Sequence, residues 1–210
     1  WLRKMARNFT SDTDIVLGYS NYEKTRGWFN RKITFDTMLD SMRRLGRAIG
    51  EHPYTGCGRN LAYRKSLYYK QKGFASHLNL QRGEDDLFVN QASNGKNTRV
   101  EASLESIMRI TAPHFKKDWR EDKLSYNMSS RYYKGMGRYL IGGETCSRVL
   151  FLLLVIACLI HGIITQDWMM TGIASLMWVL HFIMQIVIFR KTSIALGERK
   201  FYSTLLLFNW

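Results

Sequence analysis

The sequence predicts an α/β globular half, a basic amphipathic helix after it, and a pair of membrane-crossing helices at the end. Three observations predict this order. Short β-branched runs and helical apolar spacings mix over the first 112 residues, aromatic and basic residues interleave from 114 to 134, and two long uncharged apolar runs follow residue 148. The chain divides accordingly into 1–112, 113–147 and 148–210.

The 210 residues suffice for one ordinary domain, or for a smaller one with a membrane segment. The uneven spread of apolar residues favours the second. The formal charge is +14, with 31 Lys and Arg against 17 Asp and Glu, almost all before the apolar tail. Such a basic half suits anionic lipid headgroups or a phosphorylated substrate. Nucleic acid is not expected as a partner, since no zinc-finger, helix-turn-helix or RNA-binding signature accompanies the charge. Cys57, Cys146 and Cys158 are odd in number, and Cys158 lies in an apolar run, which argues for a reducing compartment and against a disulfide framework. His52, His77, His114, His161 and His181 have no spacing that suits zinc. The chain opens on Trp1-Leu2-Arg3 and closes inside an apolar run, so both ends read as cuts in a longer protein.

Asp14-Ile15-Val16-Leu17-Gly18 reads as a buried strand, and Tyr19 to Arg31 as a loop. From Thr34, the residues Phe35, Met38, Leu39, Met42, Leu45 and Ile49 recur at helical spacing, acids early and bases late, until Gly50 stops the helix. His52 to Lys65 holds Gly56-Cys57-Gly58-Arg59-Asn60, where two glycines allow backbone to approach a ligand and Arg59, Arg64 and Lys65 can neutralise phosphate. The same Gly-x-Gly is common in plain turns. Ser66 to Lys72 reads as a short helix capped by Ser66 and closed by Gly73.

Gly83-Glu84-Asp85-Asp86-Leu87-Phe88 then opens a helix running to about Ser93. Consecutive acids are out of character in so basic a chain, and the following apolar residues pull them toward a core. A carboxylate there pairs with bases, binds a cation or accepts a proton, or else it only decorates a helix N-terminus. Thr98 to Leu104 alternates like a half-exposed strand. From His114 to Lys134, Phe115, Trp119, Tyr126, Tyr132 and Tyr133 alternate with Lys and Arg, which suits an interfacial helix or a solvated surface helix equally.

Val149 to Thr165 and Trp168 to Phe189 each fall within the ~17 to 25 residues that cross a bilayer. Gln166-Asp167 is the whole connection, so they form a hairpin. Arg148 before and Arg190-Lys191 after place that side in the cytoplasm. Arg199 to Trp210 reads as the start of a further span or as an interfacial segment.

This order of features resembles the second half of a membrane-embedded family 2 glycosyltransferase, with cellulose and hyaluronan synthases as relatives and bacterial members the nearest in pattern. The motifs that carry the likeness are Gly56-Cys57-Gly58-Arg59-Asn60-Leu61-Ala62-Tyr63-Arg64-Lys65, Gly83-Glu84-Asp85-Asp86, the aromatic and basic helix, and the hairpin. The resemblance implies the C-terminal, acceptor-side half of a GT-A fold in an inverting transferase. It implies Asp85 as the general base with Glu84 and Asp86 in support, and Cys57, Gly58, Arg59 and Asn60 in the acceptor and donor cleft, the basic residues facing the diphosphate. Trp119, Arg120, Lys123 and Tyr126 would sit on the interface helix. It further implies a nucleotide sugar, a glycan or lipid-linked acceptor, Mg²⁺ or Mn²⁺ held by ligands outside this chain, and a multi-pass place in the cytoplasmic (inner) membrane with a cytoplasmic catalytic domain. The family's Gln-x-x-Arg-Trp is here Asp122-Lys123-Leu124-Ser125-Tyr126, which keeps only the final aromatic. That departure raises a second expectation, a non-catalytic membrane scaffold on the same fold.

Overall fold

A computed structural model describes residues 1–75, 84–135 and 137–199. Within it the chain is a mixed helix and sheet protein with two long apolar helices at its C-terminal end. Gly83 of the acidic motif and residues 200–210 lie outside the described residues.

The central strand is β1 (Ile15–Gly18), every residue of which is buried. It pairs antiparallel with β3 (Leu61–Tyr63) and parallel with β4 (Thr98–Glu101). Burial on both sides explains why β1 reads as an unbroken apolar run rather than an alternating one. The chain continues through Tyr19 into β2 (Ser20–Tyr22), which pairs parallel with β5 (Met108–Ile110). The segment expected to be loop from Tyr19 to Arg31 therefore holds a strand. The expected strand to Leu104 stops at Glu101 and gives way to a tight turn at Leu104–Ser106. Glu101 is held there by Asn8 at 2.7 Å and Arg7 at 3.2 Å, from beyond the short helix α1 (Leu2–Ala6).

Helix α2 (Trp28–Ile49) packs across the sheet through Phe35, Met38, Leu45 and Ala48. It begins six residues before the Thr34 expected as its start. Asn30 fastens this first turn, accepting from Thr25 N and donating to Glu23 O at 2.9 Å. Gly50 follows its last residue as expected, but the left-handed backbone is at Glu51, φ 64°.

Helix α3 (Lys65–Lys70) starts one residue ahead of Ser66, and no side chain caps it. The extended residue before it, Arg64, is tied to Asp14 O through its own amide. Gly73 closes this segment in the left-handed region at φ 60°, its N–H on Tyr68 O. Helix α4 (Asp86–Ala92) contributes Phe88, Val89 and Ala92 to the core, where Phe88 meets the Tyr63 ring at 4.7 Å.

Helix α5 (Lys116–Ser129) runs into a tight turn at Ser130–Tyr132. Helices α6 (Gly137–Ile164) and α7 (Trp168–Ala195) have 28 residues each, about 42 Å at 1.5 Å per residue, against a hydrocarbon core of about 30 Å. Both are long and apolar enough to cross a membrane. Leu153, Ile160, Leu176, Leu180 and Met184 are exposed along their flanks, unlike the core helix of a soluble domain. The hairpin turns at Gln166, φ 55°, and Asp167 caps α7 by accepting from Met170 N at 3.1 Å. A Cβ on Gly162 would stand 2.4 Å from Thr171 Oγ1, so the two helices cross there without room for a side chain.

Both feet of the hairpin rest on the globular half. Arg43 of α2 grips Glu144 of α6 with two bonds, at 2.7 and 2.9 Å. The Phe189 ring of α7 lies 5.4 Å from Phe35, and Leu196 is buried in the same core. Past α7, the buried Glu198 accepts from Tyr19 Oη at 2.7 Å and Asn21 Nδ2 at 3.0 Å and pairs with Arg109. Burial and the Glu198 charge together push the Tyr19 hydroxyl far above its ordinary range.

Candidate functional site

A cavity of about 260 Å³ opens between α2, the loop 54–59 and α5. Its floor is β2, through Ser20 and Tyr22. One wall is the polar side of α2, with Asp36, Asp40, Arg43 and Arg44, and another is the loop, with Tyr54, Thr55, Cys57 and Arg59. The remaining wall is Trp119, Asp122, Lys123 and Tyr126 of α5 with Tyr133 beyond it. Aromatic faces and charged groups thus line one concave space, the composition expected of a small-molecule site.

The acidic motif stands beside this space and is split into three environments. Glu84 is exposed, Asp85 half-buried and Asp86 only 1% exposed. Asp85 occupies the cap position of α4 but makes no capping bond. Its Oδ2 instead accepts from Gly58 N at 2.5 Å, while Oδ1 has no partner among the described residues. The negative end of the motif is therefore aimed at the loop rather than at its own helix. A Cβ on Gly58 would lie 3.1 Å from Asp85 Oδ2, and one on Gly56 would lie 2.6 Å from Val89 Cγ2. The close approach that these glycines permit is to α4 and the acidic motif.

Asp86 is a structural hub. Its Oδ2 accepts from the Ser129 hydroxyl and from Tyr133 Oη at 2.9 Å, and its Oδ1 from Leu87 N at 2.7 Å. Tyr133 Oη also meets Thr55 Oγ1 at 2.9 Å. One carboxylate thereby joins α4, the end of α5 and the loop. Burial raises the titration of Asp86 above the ordinary carboxylate range, against the pull of the two hydroxyls.

The expected cleft residues separate into two groups. Cys57, Arg59, Trp119, Lys123 and Tyr126 line the cavity, and Gly58 holds Asp85 beside it. Asn60 does not belong to the cleft. It is 2% exposed, donates to Tyr19 O at 2.7 Å and Ser106 O at 2.8 Å, and accepts from Trp1 Nε1 at 2.9 Å, bracing the place where β1 passes into β2. Its amide fills the space that a Cβ on Gly18 would need, 2.3 Å away. Arg120 is exposed and outside the cavity lining. Spacing alone placed it on α5 but could not say which way it points.

Asp36, Asp40, Arg43 and Arg44 are the site residues that sequence reasoning missed. As polar residues between apolar helical positions they read as a solvated face, although Asp36 is held by Lys123 at 3.4 Å across the cavity. Burial raises the titration of Asp36, and the Lys123 charge opposes that rise. Their grouping on one side of α2 was the available signal. Among the described residues no three His, Cys, Asp or Glu side chains converge to hold a metal. No protein-family model matches the chain, and no curated protein matches it either.

Proposed function

We propose that this chain is the acceptor-side part of an inverting glycosyltransferase of GT-A fold, anchored by its hairpin in the cytoplasmic membrane with the globular half in the cytoplasm. One observation carries the reading. The Gly58 amide holds Asp85 Oδ2, and the residues on either side of Gly58, Cys57 and Arg59, line the cavity, although Asp85 itself does not; among the described residues Asp85 Oδ1 has no partner.

In this reading the acceptor hydroxyl attacks the anomeric carbon of a nucleotide sugar. As the new C–O bond forms, Asp85 Oδ1 takes the hydroxyl proton, and the bond to the diphosphate breaks with its electron pair leaving on the diphosphate oxygen. The Gly58 N–H orients the carboxylate for that transfer. A divalent metal, Mg²⁺ or Mn²⁺, would assist diphosphate departure, with ligands from beyond this chain. The hairpin's exposed apolar flanks and the bases Arg148, Arg190 and Lys191 at its foot support the membrane placement.

The test is Asp85→Asn in the intact protein, reconstituted in lipid and supplied with nucleotide sugars. Transfer is lost and donor binding persists if Asp85 is the base; unchanged turnover refutes it. The second reading, a scaffold without catalysis, is favoured by Lys123, which is engaged with Asp36 rather than free for a pyrophosphate. It predicts no donor hydrolysis at all, with liposome binding that weakens steeply as salt rises.

A further inference from the structure

The cavity is lined by four bases, Arg43, Arg44, Arg59 and Lys123, and three acids, Asp36, Asp40 and Asp122. Asp36 is engaged by Lys123, and Asp40 by Arg43 at 3.0 Å. Arg43 is further held by Glu144. Two guanidiniums lack such a partner. Arg44 donates to the Ser41 hydroxyl at 3.1 Å, while Arg59 lies over the Tyr22 ring at 5.1 Å and donates to its hydroxyl at 3.3 Å. Among the described residues neither arginine forms an ion pair with a carboxylate.

Both guanidiniums are half-buried. Burial acts against the Arg59 cation while Tyr22 holds it, and a phenol is a weaker partner for a guanidinium than an anion. The planar fork of a guanidinium fits a carboxylate or phosphate better than a hydroxyl. They approach from different walls, Arg44 from α2 and Arg59 from the loop, and Arg59 adjoins the glycine that holds Asp85. The volume lies just below the ~300 to 1,000 Å³ of ordinary ligand pockets, room for a single sugar unit.

We propose that this cavity selects an acidic acceptor: a sugar unit bearing a carboxylate or phosphate, its oxyanion held between Arg44 and Arg59 and its ring set against Tyr22 and Trp119. The word acceptor rests on the glycosyltransferase reading; the preference for an anion in this cavity does not. The competing anion is the donor's diphosphate, and the experiment separates the two.

The intact protein in nanodiscs of uncharged lipid is titrated without donor. The probes are a glucuronate-containing tetrasaccharide, the same tetrasaccharide with its carboxyls reduced, glucose 6-phosphate, glucose and uridine diphosphate. The expected result is that at least one acidic sugar binds about tenfold more tightly than its neutral counterpart, the size of one charged hydrogen bond. Arg44→Gln and Arg59→Gln each reduce that preference to near unity, whereas Arg44→Lys retains part of it. The preference in the wild-type protein also shrinks as salt is raised, a readout that needs no variant to fold. Equal binding of acidic and neutral sugars overturns the proposal. So does a loss confined to uridine diphosphate in the two Gln variants, which would assign the arginines to the donor. Because no transfer is measured, failure here leaves the Asp85→Asn result to decide the enzymatic reading separately.

Discussion

Tyr133 Oη stands 2.9 Å from Asp86 Oδ2 and 2.9 Å from Thr55 Oγ1, and so bridges the acidic motif to the loop that walls the cavity. Because Tyr133 gives its proton to the carboxylate, Thr55 must donate to Tyr133. Tyr133→Phe removes both bonds and leaves Thr55 facing a ring edge. It should lower unfolding stability by about 1.5 to 3 kcal/mol, the scale of a hydrogen bond to a charged group, measured by denaturant titration in detergent. An unchanged midpoint would show that the bridge contributes nothing.

The buried carboxylate makes a second prediction, in pH. Burial is the main cause that lifts Asp86 above its ordinary value of 3.8, with the neighbouring Asp85 charge adding to it and the Ser129 and Tyr133 hydroxyls opposing. An acid whose folded-state pKa is raised gives its full stability below the unfolded value and loses it as pH rises through the folded one. Asn at this position does not titrate. The stability of wild type minus that of Asp86→Asn should therefore be greatest below about 3.8, fall as pH rises, and become flat above the folded-state pKa. Melting curves of the two proteins across that range check the sign; a difference that grows with pH would reverse it.

Gly58 supplies a test of geometry. A Cβ there would crowd Asp85, whose Oδ2, Cβ and Cγ at 3.1, 3.3 and 3.5 Å are its three nearest neighbours. Gly58→Ala should push the carboxylate a few tenths of an ångström and cut kcat on the order of tenfold while leaving sugar binding nearly unchanged. Equal losses in kcat and binding would mean that the loop as a whole had moved.

At the hairpin, Gly162 is the position without room. Gly162→Val would drive a branched side chain into Thr171 Oγ1, 2.4 Å from the first carbon, and toward Asp167 O at 3.2 Å. Overpacking of this kind costs about 1 to 3 kcal/mol, read as a lower Tm in detergent and faster proteolysis at Gln166-Asp167. Gly172→Val, where no atom lies within 4 Å of the added carbon, is the control and should change neither.

Long regular features were legible in the sequence. The spacing of Phe35, Met38 and Leu45 located α2, and the uncharged runs located the hairpin, whose connection is Thr165, Gln166 and Asp167 rather than the expected Gln166-Asp167 alone. What escaped was short or non-local. Strands β2, β3 and β5 have three residues each, too few for a period, and exist because of partners dozens of residues away. α6 starts at Gly137, well before the apolar run at Val149, because its polar first turns are held by Arg43 and packed on Tyr54. Adjacent acids posed a different difficulty. Asp85 and Asp86 are chemically alike, and only the fold decides that one faces a loop amide while the other is enclosed by two hydroxyls. Asn60 likewise sits within a motif that suggests ligand contact, yet its amide is consumed by two carbonyls of the sheet.

Alternation along one extended stretch sets the last consequence. Ser20 and Tyr22 form the cavity floor, while Tyr19 and Asn21 reach the other way to Glu198, at the foot of α7. A partition one backbone thick thus separates the cavity from the Glu198 cluster at the end of α7. Any shift at the foot of α7 therefore reaches Tyr19 and Asn21 through Glu198, and so the two residues that alternate with them to form the cavity floor.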